Sequence, residues 1–381
     1  MAKDQDKNTA MTASAGDPTT MTFVYVARAA DGVIAIFAMD AQTGALTACG
    51  QTHAGAMVMP MAVSPDRRHL YAAVRSEPYR VVTFAIDAVT GALNQCGSAP
   101  LPDSMPYVST DATGRFLFTA SYGGSLVAVS AIGQDGVVAG PAHQVLKTGR
   151  SAHAVLPDRT NRFVFATNLG SDQVAQFRFD AAKGVLEEND PPACPLPPGH
   201  GPRHLRFSPD NRFVYVLHEL SGHVAQLALN PDLGTLRLIE TIPSVPAESG
   251  LLIGTANTPI GASPLVTSAA TSEPRPKIWC ADIELTPDGR FAYTTERTQS
   301  MVSLFKVAPD TGQLTYVTRT PSEQQPRGIK IDPRGRFLIV SGERSDCVGV
   351  FKIDSVDGAL TDVGRFPVGA GANWIEIVDV P

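Results

Sequence analysis

The chain repeats a short pattern in which turn-forming residues precede alternating apolar and polar positions. Six copies are present: SPDRRHLYAAV, DATGRFLFTAS, DRTNRFVFATN, SPDNRFVYVLH, TPDGRFAYTTE and DPRGRFLIVSG. The Asp, Pro, Gly and Asn residues favour a tight turn, and the Arg-Phe-x-Phe/Tyr alternation has the period of two expected for a β-strand with one apolar face. Each copy therefore predicts a β-hairpin.

The spacing of these copies predicts how the hairpins are arranged. The arginine that opens the second strand lies at Arg68, Arg115, Arg162, Arg212, Arg290 and Arg336, in steps of 47, 47, 50, 78 and 46 residues. A glycine-containing tag, such as TGAL at 43–46 and DGAL at 357–360, occurs seven times. Seven units of about 46 residues with four short strands each are typical of a β-propeller.

The first unit lacks its leading strand, and the C-terminal segment ANWIEIVDV resembles that strand. We therefore expect an all-β, seven-bladed β-propeller with four-stranded antiparallel blades, closed by joining the N- and C-terminal strands. Residues 21–381 form one propeller domain in this prediction. A loop insertion at about 243–276, rich in Pro, Ser, Thr, Ala and Gly, accounts for the 78-residue step. Residues 1–20 are polar and small and lack an apolar signal segment, which indicates a disordered leader on a cytoplasmic protein.

Composition excludes several classes of function. A net charge of −6 argues against nucleic-acid binding, which requires a basic surface. The chain contains no apolar run long enough to span a membrane. Its five cysteines form no Cys-x-x-Cys pair, so we expect them to be reduced and mostly buried, with no metal and no cofactor. An anionic small molecule would need a local arginine cluster.

Counting from each repeated arginine identifies positions that should border the central channel. With strand A at −8 to −3 and strand B at 0 to +6, residues at −9 and +7 share one edge of each antiparallel sheet. The −9 positions hold Met59, Pro106, His153, Arg203, Ala281 and Arg327, and the +7 positions hold Arg75, Tyr122, Leu169, Glu219, Arg297 and Glu343. His204 and Asp282, at −8, extend this edge. Because these positions vary while the repeated phrase does not, they are candidates for a functional site.

A structural role is the alternative for each of these residues. An Arg–Glu pair at a sheet edge often serves only as an ion pair, and His200, His218 and His223 fit a structural or solvated role better than a reactive one. The repeated arginines are expected to form blade-stabilising bonds.

The segments HGPRHLRFSPDNRFVYVLHELSGHV, KIWCADIELTPDGRFAYTTERTQSMVSLFKV and QQPRGIKIDPRGRFLIVSGERSDCVGVFKID resemble the seven-bladed lactonase family. This family includes propeller-type 6-phosphogluconolactonases and fungal 3-carboxy-cis,cis-muconate lactonizing enzymes, and the resemblance covers residues 21–381. It implies a site formed by His153, Arg203, Glu219 and Arg297. The chain departs from the family pattern at His218 and Glu296, where asparagine is expected, and at the Asn168-Leu169-Gly170 turn.

The leading hypothesis is hydrolysis of a sugar lactone, 6-phospho-D-glucono-1,5-lactone or a related aldonolactone. Arg203 would stabilise the developing oxyanion, and either Glu219 or His153 would deprotonate the attacking water. Arg297, or alternatively Arg327 or Arg75, would hold a phosphate or carboxylate, with His204 and Asp282 also contacting substrate.

The sequence leaves three alternative functions open. A carboxymuconate cycloisomerase would use the same arginines for carboxylates, and a noncatalytic propeller would bind proteins. A metal-dependent lactonase would use Glu219, Asp282 and nearby histidines as ligands. The partner expected from the leading hypothesis is a small anionic lactone, and the sequence leaves the oligomeric state open.

Overall fold

The computed structural model describes residues 21–256 and 276–380, and within them the chain forms seven four-stranded antiparallel sheets. From the channel outward, blade 1 contains β28 (Ala372–Val380), β1 (Met21–Arg28), β2 (Val33–Met39) and β3 (Leu46–His53). Blade 2 contains β4 (Val58–Val63), β5 (His69–Val74), β6 (Arg80–Ile86) and β7 (Leu93–Pro100). Blade 3 contains β8 (Tyr107–Thr110), β9 (Phe116–Ser121), β10 (Leu126–Ala131) and β11 (Gln144–Lys147).

The remaining four blades repeat this order. Blade 4 contains β12 (Ala152–Pro157), β13 (Phe163–Asn168), β14 (Gln173–Asp180) and β15 (Val185–Pro195). Blade 5 contains β16 (Pro202–Phe207), β17 (Phe213–His218), β18 (His223–Leu229) and β19 (Leu236–Pro243). Blade 6 contains β20 (Cys280–Leu285), β21 (Phe291–Glu296), β22 (Met301–Val307) and β23 (Leu314–Pro321). Blade 7 contains β24 (Pro326–Ile331), β25 (Phe337–Gly342), β26 (Cys347–Ile353) and β27 (Leu360–Pro367). The described residues add only the 3-10 turns Leu169–Ser171 and Ala247–Ser249.

The innermost strands form a closed ring, which confirms the predicted fold class. Each of β4, β8, β12, β16, β20 and β24 contacts the innermost strand of the next blade, and β28 contacts both β24 and β4. As predicted, the C-terminal strand completes blade 1, where Val24 of β1 lies opposite Ile377 of β28. The N- and C-terminal strands therefore close the propeller.

The repeated phrases form the turns between the first and second strands of the blades. Strand β16 ends at Phe207, whereas the sequence count placed the first strand of this blade at 204–209. The predicted span was two residues too late because Ser208 already belongs to the turn, where its carbonyl accepts the Asn211 amide and its hydroxyl donates to Asp210.

Neighbouring blades are joined by apolar packing and by repeated hydrogen bonds between the phrase and the tag. Tyr215 of blade 5 donates its hydroxyl to the carbonyl of Gly312 in blade 6, at 2.7 Å. A Cβ on Gly312, whose φ is +67°, would lie 2.4 Å from the ring of Phe213, so only glycine fits this turn. Arg212 lies over the Phe213 ring and donates to the carbonyl of Asp310 at 2.9 Å. Arg115, Arg162 and Arg290 also donate to carbonyls of the next blade, so the expected blade-stabilising role is confirmed for these four arginines. Arg68 and Arg336 make no such bond to the described residues.

Two predicted segments lie wholly or partly outside the described residues. The leader at 1–20 is one, and residues 257–275 of the insertion are the other. The described end of the insertion is attached to blade 5, because the amide of Gly254 donates to the carbonyl of Leu220 at 2.8 Å.

The expectation of mostly buried cysteines was wrong, since Cys49 and Cys96 are exposed on outer strands that face solvent. All five cysteines are free thiols. In the described ranges, no helix has the length and apolarity needed to cross a membrane.

Candidate active site

β-Bulges on the innermost strands place the −9 residues at one end of the channel. In blade 5, Pro202 lies opposite His218 and His204 lies opposite Leu217, so Arg203 is left without a cross-strand partner. Similar irregularities interrupt the innermost pairing in blades 1, 2, 4, 6 and 7. A bulge increases local twist and redirects a side chain. We call the end of the channel bordered by the −9 and +7 residues the mouth.

At the mouth, one carboxylate holds two buried guanidinium groups from different blades. Oε2 of Glu219 lies 2.8 Å from Nε of Arg203 and 3.0 Å from Nη2 of Arg297. Both arginine side chains are only 2% exposed. Burial lowers the pKa of Arg203 to about 9, and the positive charge of Arg297 adds to this effect, while Glu219 opposes it. Arg203 therefore remains charged at neutral pH.

The contacts of Arg297 leave little of its guanidinium for a ligand. Its Nε donates to the carbonyl of Trp279 at 3.2 Å, and Nη2 donates to the carbonyl of Cys280 as well as to Glu219. The guanidinium carbon lies 3.6 Å from the centre of the Trp279 ring, in a cation–π contact. Arg297 is thus fixed in place by blade 6 itself.

A second ion pair continues the cluster into blade 7. Nη1 of Arg327 donates to Oε1 of Glu343 at 2.7 Å, and Oε2 of Glu343 lies 4.0 Å from Arg297. Burial alone would raise the pKa of the Glu343 carboxyl, but the adjacent Arg327 and Arg297 lower it below its ordinary value. The predicted residues of blades 5, 6 and 7 therefore form one continuous network.

His204 lies beside Arg203, and both of its ring nitrogens have protein partners. Nη1 of Arg203 donates to Nε2 of His204 at 3.2 Å, because a guanidinium nitrogen can only donate. The proton of His204 must then be on Nδ1, which donates to Oδ1 of Asp282 at 2.7 Å. Burial, with the charge of Arg203, holds the pKa of His204 well below its ordinary range, so the ring is neutral. These contacts leave no ring nitrogen of His204 for a substrate and orient Arg203 instead.

The sequence placed His204 and Asp282 on the channel edge, whereas the structure buries them deeper. The His204 ring packs against Tyr107 and Trp374, at centroid distances of 5.2 and 5.9 Å. Farther along the channel, Arg206 donates to Oε1 of Glu284 at 2.8 Å. Four contacts between blades 5 and 6 join residues 78 positions apart, namely 203 with 281, 204 with 282, 206 with 284 and 219 with 297. Equivalent positions of adjacent blades therefore meet across their interface.

His153 borders the same cluster from blade 4. Its ring centroid lies 5.1 Å from that of His204 and 6.1 Å from that of Tyr122. Nδ1 of His153 is buried and has no hydrogen-bond partner in residues 21–256 and 276–380. Burial lowers the pKa of His153 well below its ordinary value, and the charge of Arg203 lowers it further. His153 is consequently neutral at pH 7, with a ring nitrogen that no described group occupies.

Other members of the channel-edge sets do not enter the ion-pair network. Arg75 is buried in blade 2 and donates through Nε to the hydroxyl of Ser104 at 3.0 Å. Met59 and Ala281 are buried apolar residues, although the carbonyl of Ala281 accepts a hydrogen bond from Arg203. Leu169 is buried in the 3-10 turn that follows β13.

His200, His218 and His223 form a separate cluster next to Glu219. Nδ1 of His200 lies 3.2 Å from Nδ1 of His218 and 3.0 Å from the Ser221 hydroxyl. Burial lowers the pKa of His218 to about 3. His223 begins β18, and its Nδ1 donates to the carbonyl of Ser221 at 2.9 Å. In residues 21–256 and 276–380, no group of three or more His, Cys, Asp or Glu side chains is placed to hold a metal ion.

Sequence reasoning missed Asn373 and Trp279. Asn373 occupies the bulge of β28 that corresponds to Arg203, because Ala372 lies opposite Arg28 and Trp374 opposite Ala27. It is 3% exposed, and its side-chain oxygen has no hydrogen-bond partner among the residues that the structure describes. The alignment of ANWIEIVDV with the other leading strands could have identified it, but that blade lacks the phrase used for counting. Nothing in the sequence marked Trp279 as the ring beneath Arg297.

Comparison with known proteins identifies the family. The model of the family described as "Lactonase, 7-bladed beta-propeller" matches residues 20–377. The 6-phosphogluconolactonase of Serratia proteamaculans is 38% identical over 356 residues, which cover 93% of this chain and 98% of that protein. The 6-phosphogluconolactonase of Pectobacterium carotovorum is 37% identical over 81% of this chain and 84% of its own length.

A solved structure supports the same assignment. The periplasmic gluconolactonase of Pseudomonas aeruginosa superimposes with a TM-score of 0.81 and 28% identity, covering 95% of this chain and 100% of that one. The repeated blades, the closed ring and these similarities agree with the resemblance found in the sequence. The chain belongs to the seven-bladed β-propeller lactonase family.

Proposed function

We propose that the protein hydrolyses the 1,5-lactone of a sugar acid, with 6-phospho-D-glucono-1,5-lactone as the substrate. The observation that carries this proposal is the buried Arg203–Glu219–Arg297 cluster beside His153, at the channel mouth of a lactonase-family propeller. The names of the Serratia and Pectobacterium relatives support the phosphorylated substrate, and the Pseudomonas structure supports the sugar-lactone class.

Arg203 is the group best placed to stabilise the reacting carbonyl. Its Nε and Nη1 contact Glu219, His204 and the carbonyl of Ala281, whereas Nη2 makes no hydrogen bond to any described residue. A donor that is already fixed needs no reorganisation when the carbonyl oxygen becomes negative. The proposed role of Arg203 is therefore to donate from Nη2 to the oxyanion.

His153 is the proposed base. Burial and nearby arginines hold its pKa low, so the ring is neutral at pH 7 and one of its nitrogens carries a lone pair to which the attacking water can pass a proton. Glu219, by contrast, is occupied by two guanidinium groups through a single oxygen. In the proposed reaction, water attacks the lactone carbonyl carbon while its proton passes to His153. The intermediate then collapses, the bond between this carbon and the ring oxygen breaks, and the ring oxygen leaves as a hydroxyl with the proton from His153.

The test is proton release by the purified protein with fresh 1,5-lactones, after subtraction of spontaneous hydrolysis. We expect His153→Gln to lower kcat by about 10²- to 10⁴-fold, the usual contribution of a positioned base. His53→Gln, which changes an exposed histidine at the end of β3, is the matched control and should retain activity. Wild-type turnover in His153→Gln would refute the role of His153. Failure of the wild-type protein to open any lactone, with consumption of carboxymuconate, would replace hydrolysis by cycloisomerisation.

We also propose that the protein acts in the cytoplasm on a small anionic lactone. Its five free cysteines support a reducing compartment. Fractionation of cells into periplasmic and cytoplasmic extracts, followed by immunodetection, tests the location, and recovery in the periplasmic extract would contradict it.

A further inference from the structure

Arg75 is a buried cation at the mouth that has no acidic partner among the described residues. It follows β5 in blade 2 and is 7% exposed. Its Nε donates to the hydroxyl of Ser104 at 3.0 Å, but Nη1 is buried, and neither Nη1 nor Nη2 has a hydrogen-bond partner in the described part of the chain. No carboxylate among the described residues lies within ion-pair distance of it. Asp103, whose negative charge acts on Arg75 from farther away, accepts hydrogen bonds from the Ser121 hydroxyl and from the Ser104 amide.

The other mouth arginines differ from Arg75 in this respect. Arg203 and Arg297 share Glu219, and Arg327 pairs with Glu343. Four arginines therefore face two glutamates at the −9 and +7 positions. An unpaired buried charge is unfavourable, so a site of this kind is satisfied by a ligand of opposite charge. Burial and the charge of Arg327 lower the pKa of Arg75 to about 10, which leaves it charged at neutral pH.

The charge of Arg75 lies on a different side of the mouth from the Arg203–Glu219–Arg297 cluster. His153, Arg203 and Arg297 belong to the consecutive blades 4, 5 and 6, whereas Arg327 and Arg75 belong to blades 7 and 2. Blade 1 lies between blades 7 and 2 and contributes Asn373. Both Arg75 and Arg327 are close enough to His153 for their charges to lower its pKa. The two halves of the ring therefore face one shared space with different chemistry.

We propose that Arg75 binds the terminal phosphate of the sugar lactone, while the carbonyl end of the same molecule is held at Arg203. This inference rests on the proposed function and deepens it by identifying the residue that selects a phosphorylated substrate. Arg75 can offer Nη2, which makes no hydrogen bond to the described residues, to a phosphate oxygen, and Arg327 adds positive charge from blade 7. Arg297 is less suited because Trp279 and Glu219 already occupy its guanidinium.

The test compares phosphorylated and non-phosphorylated glucono-1,5-lactone in Arg75→Gln and Arg75→Lys. We expect Arg75→Gln to lower the ratio of kcat/KM for the phosphorylated over the non-phosphorylated lactone by roughly 10- to 150-fold, mainly through KM. Arg75→Lys should restore part of the ratio, since it keeps the charge without the planar geometry of arginine. Arg68→Gln is the matched control, because Arg68 is exposed before β5, at the other end of that strand, and should not alter the ratio.

A measurement without turnover separates this inference from the proposed reaction. Titration of the protein with 6-phosphogluconate in a calorimeter should show weaker binding to Arg75→Gln than to the wild type by a similar factor. Arg75→Met should unfold at the same or a higher temperature than the wild type, because it removes an unpaired buried charge. An unchanged selectivity ratio and unchanged affinity would overturn the role of Arg75, as would an equal loss on both lactones. Failure of the wild type to open any lactone would reject the reaction but would leave the binding result to decide on Arg75.

Discussion

Replacement of Glu219 by glutamine should damage both stability and catalysis. The carboxylate neutralises Arg203 and Arg297 through Oε2, at 2.8 and 3.0 Å, and both guanidinium groups are 2% exposed. Removing one member of a buried charge pair costs about 3–5 kcal/mol, because the other charge stays buried without compensation. Glutamine keeps the shape and one acceptor oxygen, so we expect a loss near the lower limit, about 3 kcal/mol.

Intrinsic fluorescence provides the assay, since the only two tryptophans in the sequence, Trp279 and Trp374, both lie near the mouth. With a urea m-value of about 3 kcal/mol/M, a loss of about 3 kcal/mol moves the unfolding midpoint down by about 1 M. Activity should fall by about 10²- to 10³-fold in kcat, the effect of losing an oriented oxyanion donor, because Arg203 is no longer held.

Glu343→Gln is the matched control for this experiment. Its carboxylate pairs with Arg327 at 2.7 Å, but its side chain is 25% exposed, so solvent compensates part of the loss. We expect it to destabilise the protein by about 1 kcal/mol. The reasoning is refuted if Glu219→Gln unfolds at the wild-type urea concentration and retains the wild-type kcat.

Two further predictions concern neighbouring histidines. Asp282→Asn should lower kcat by roughly 10- to 100-fold, because the carboxylate fixes the His204 tautomer that accepts a hydrogen bond from Arg203. The downfield proton resonance of the His204 Nδ1–H should disappear in this variant and remain in the control Glu284→Gln. A normal kcat in a variant that has lost this resonance would contradict the positioning role of Asp282. His218, whose pKa falls to about 3, binds a proton below pH 6.5 only when the protein unfolds, so its contribution to stability is present at higher pH and is lost as pH falls from about 6.5 towards 3. His218→Asn should therefore reduce the slope of unfolding free energy against pH by about 1.4 kcal/mol per pH unit between pH 6 and 4. Urea unfolding at a series of pH values measures this slope. An unchanged slope would show that His218 is already protonated in the native protein.

Local patterns in the sequence were sufficient to predict the blades. Turn residues followed by two-residue alternation specify a hairpin wherever it occurs, and the spacing of the tags then gives the number of blades. The same counting identified Arg203, Glu219, Arg297 and Arg327, because an antiparallel hairpin brings −9 and +7 to one edge whatever the surroundings. It misplaced the ends of β16 by two residues, since the count could not show that Ser208 belongs to the turn.

The partners at the mouth depend on the assembled ring. Glu219 meets Arg297, and His204 meets Asp282, only because blade 6 packs beside blade 5 after a 78-residue step that includes the insertion. The position of Asn373 likewise follows from closure between the first and last strands. The sequence by itself determined the repeating strands and which residues reach the channel edge, because turn chemistry and strand alternation act over a few residues. Only the tertiary structure decided which charges are paired, buried or left unpaired, because ion pairing and desolvation depend on neighbours that are far apart in the chain.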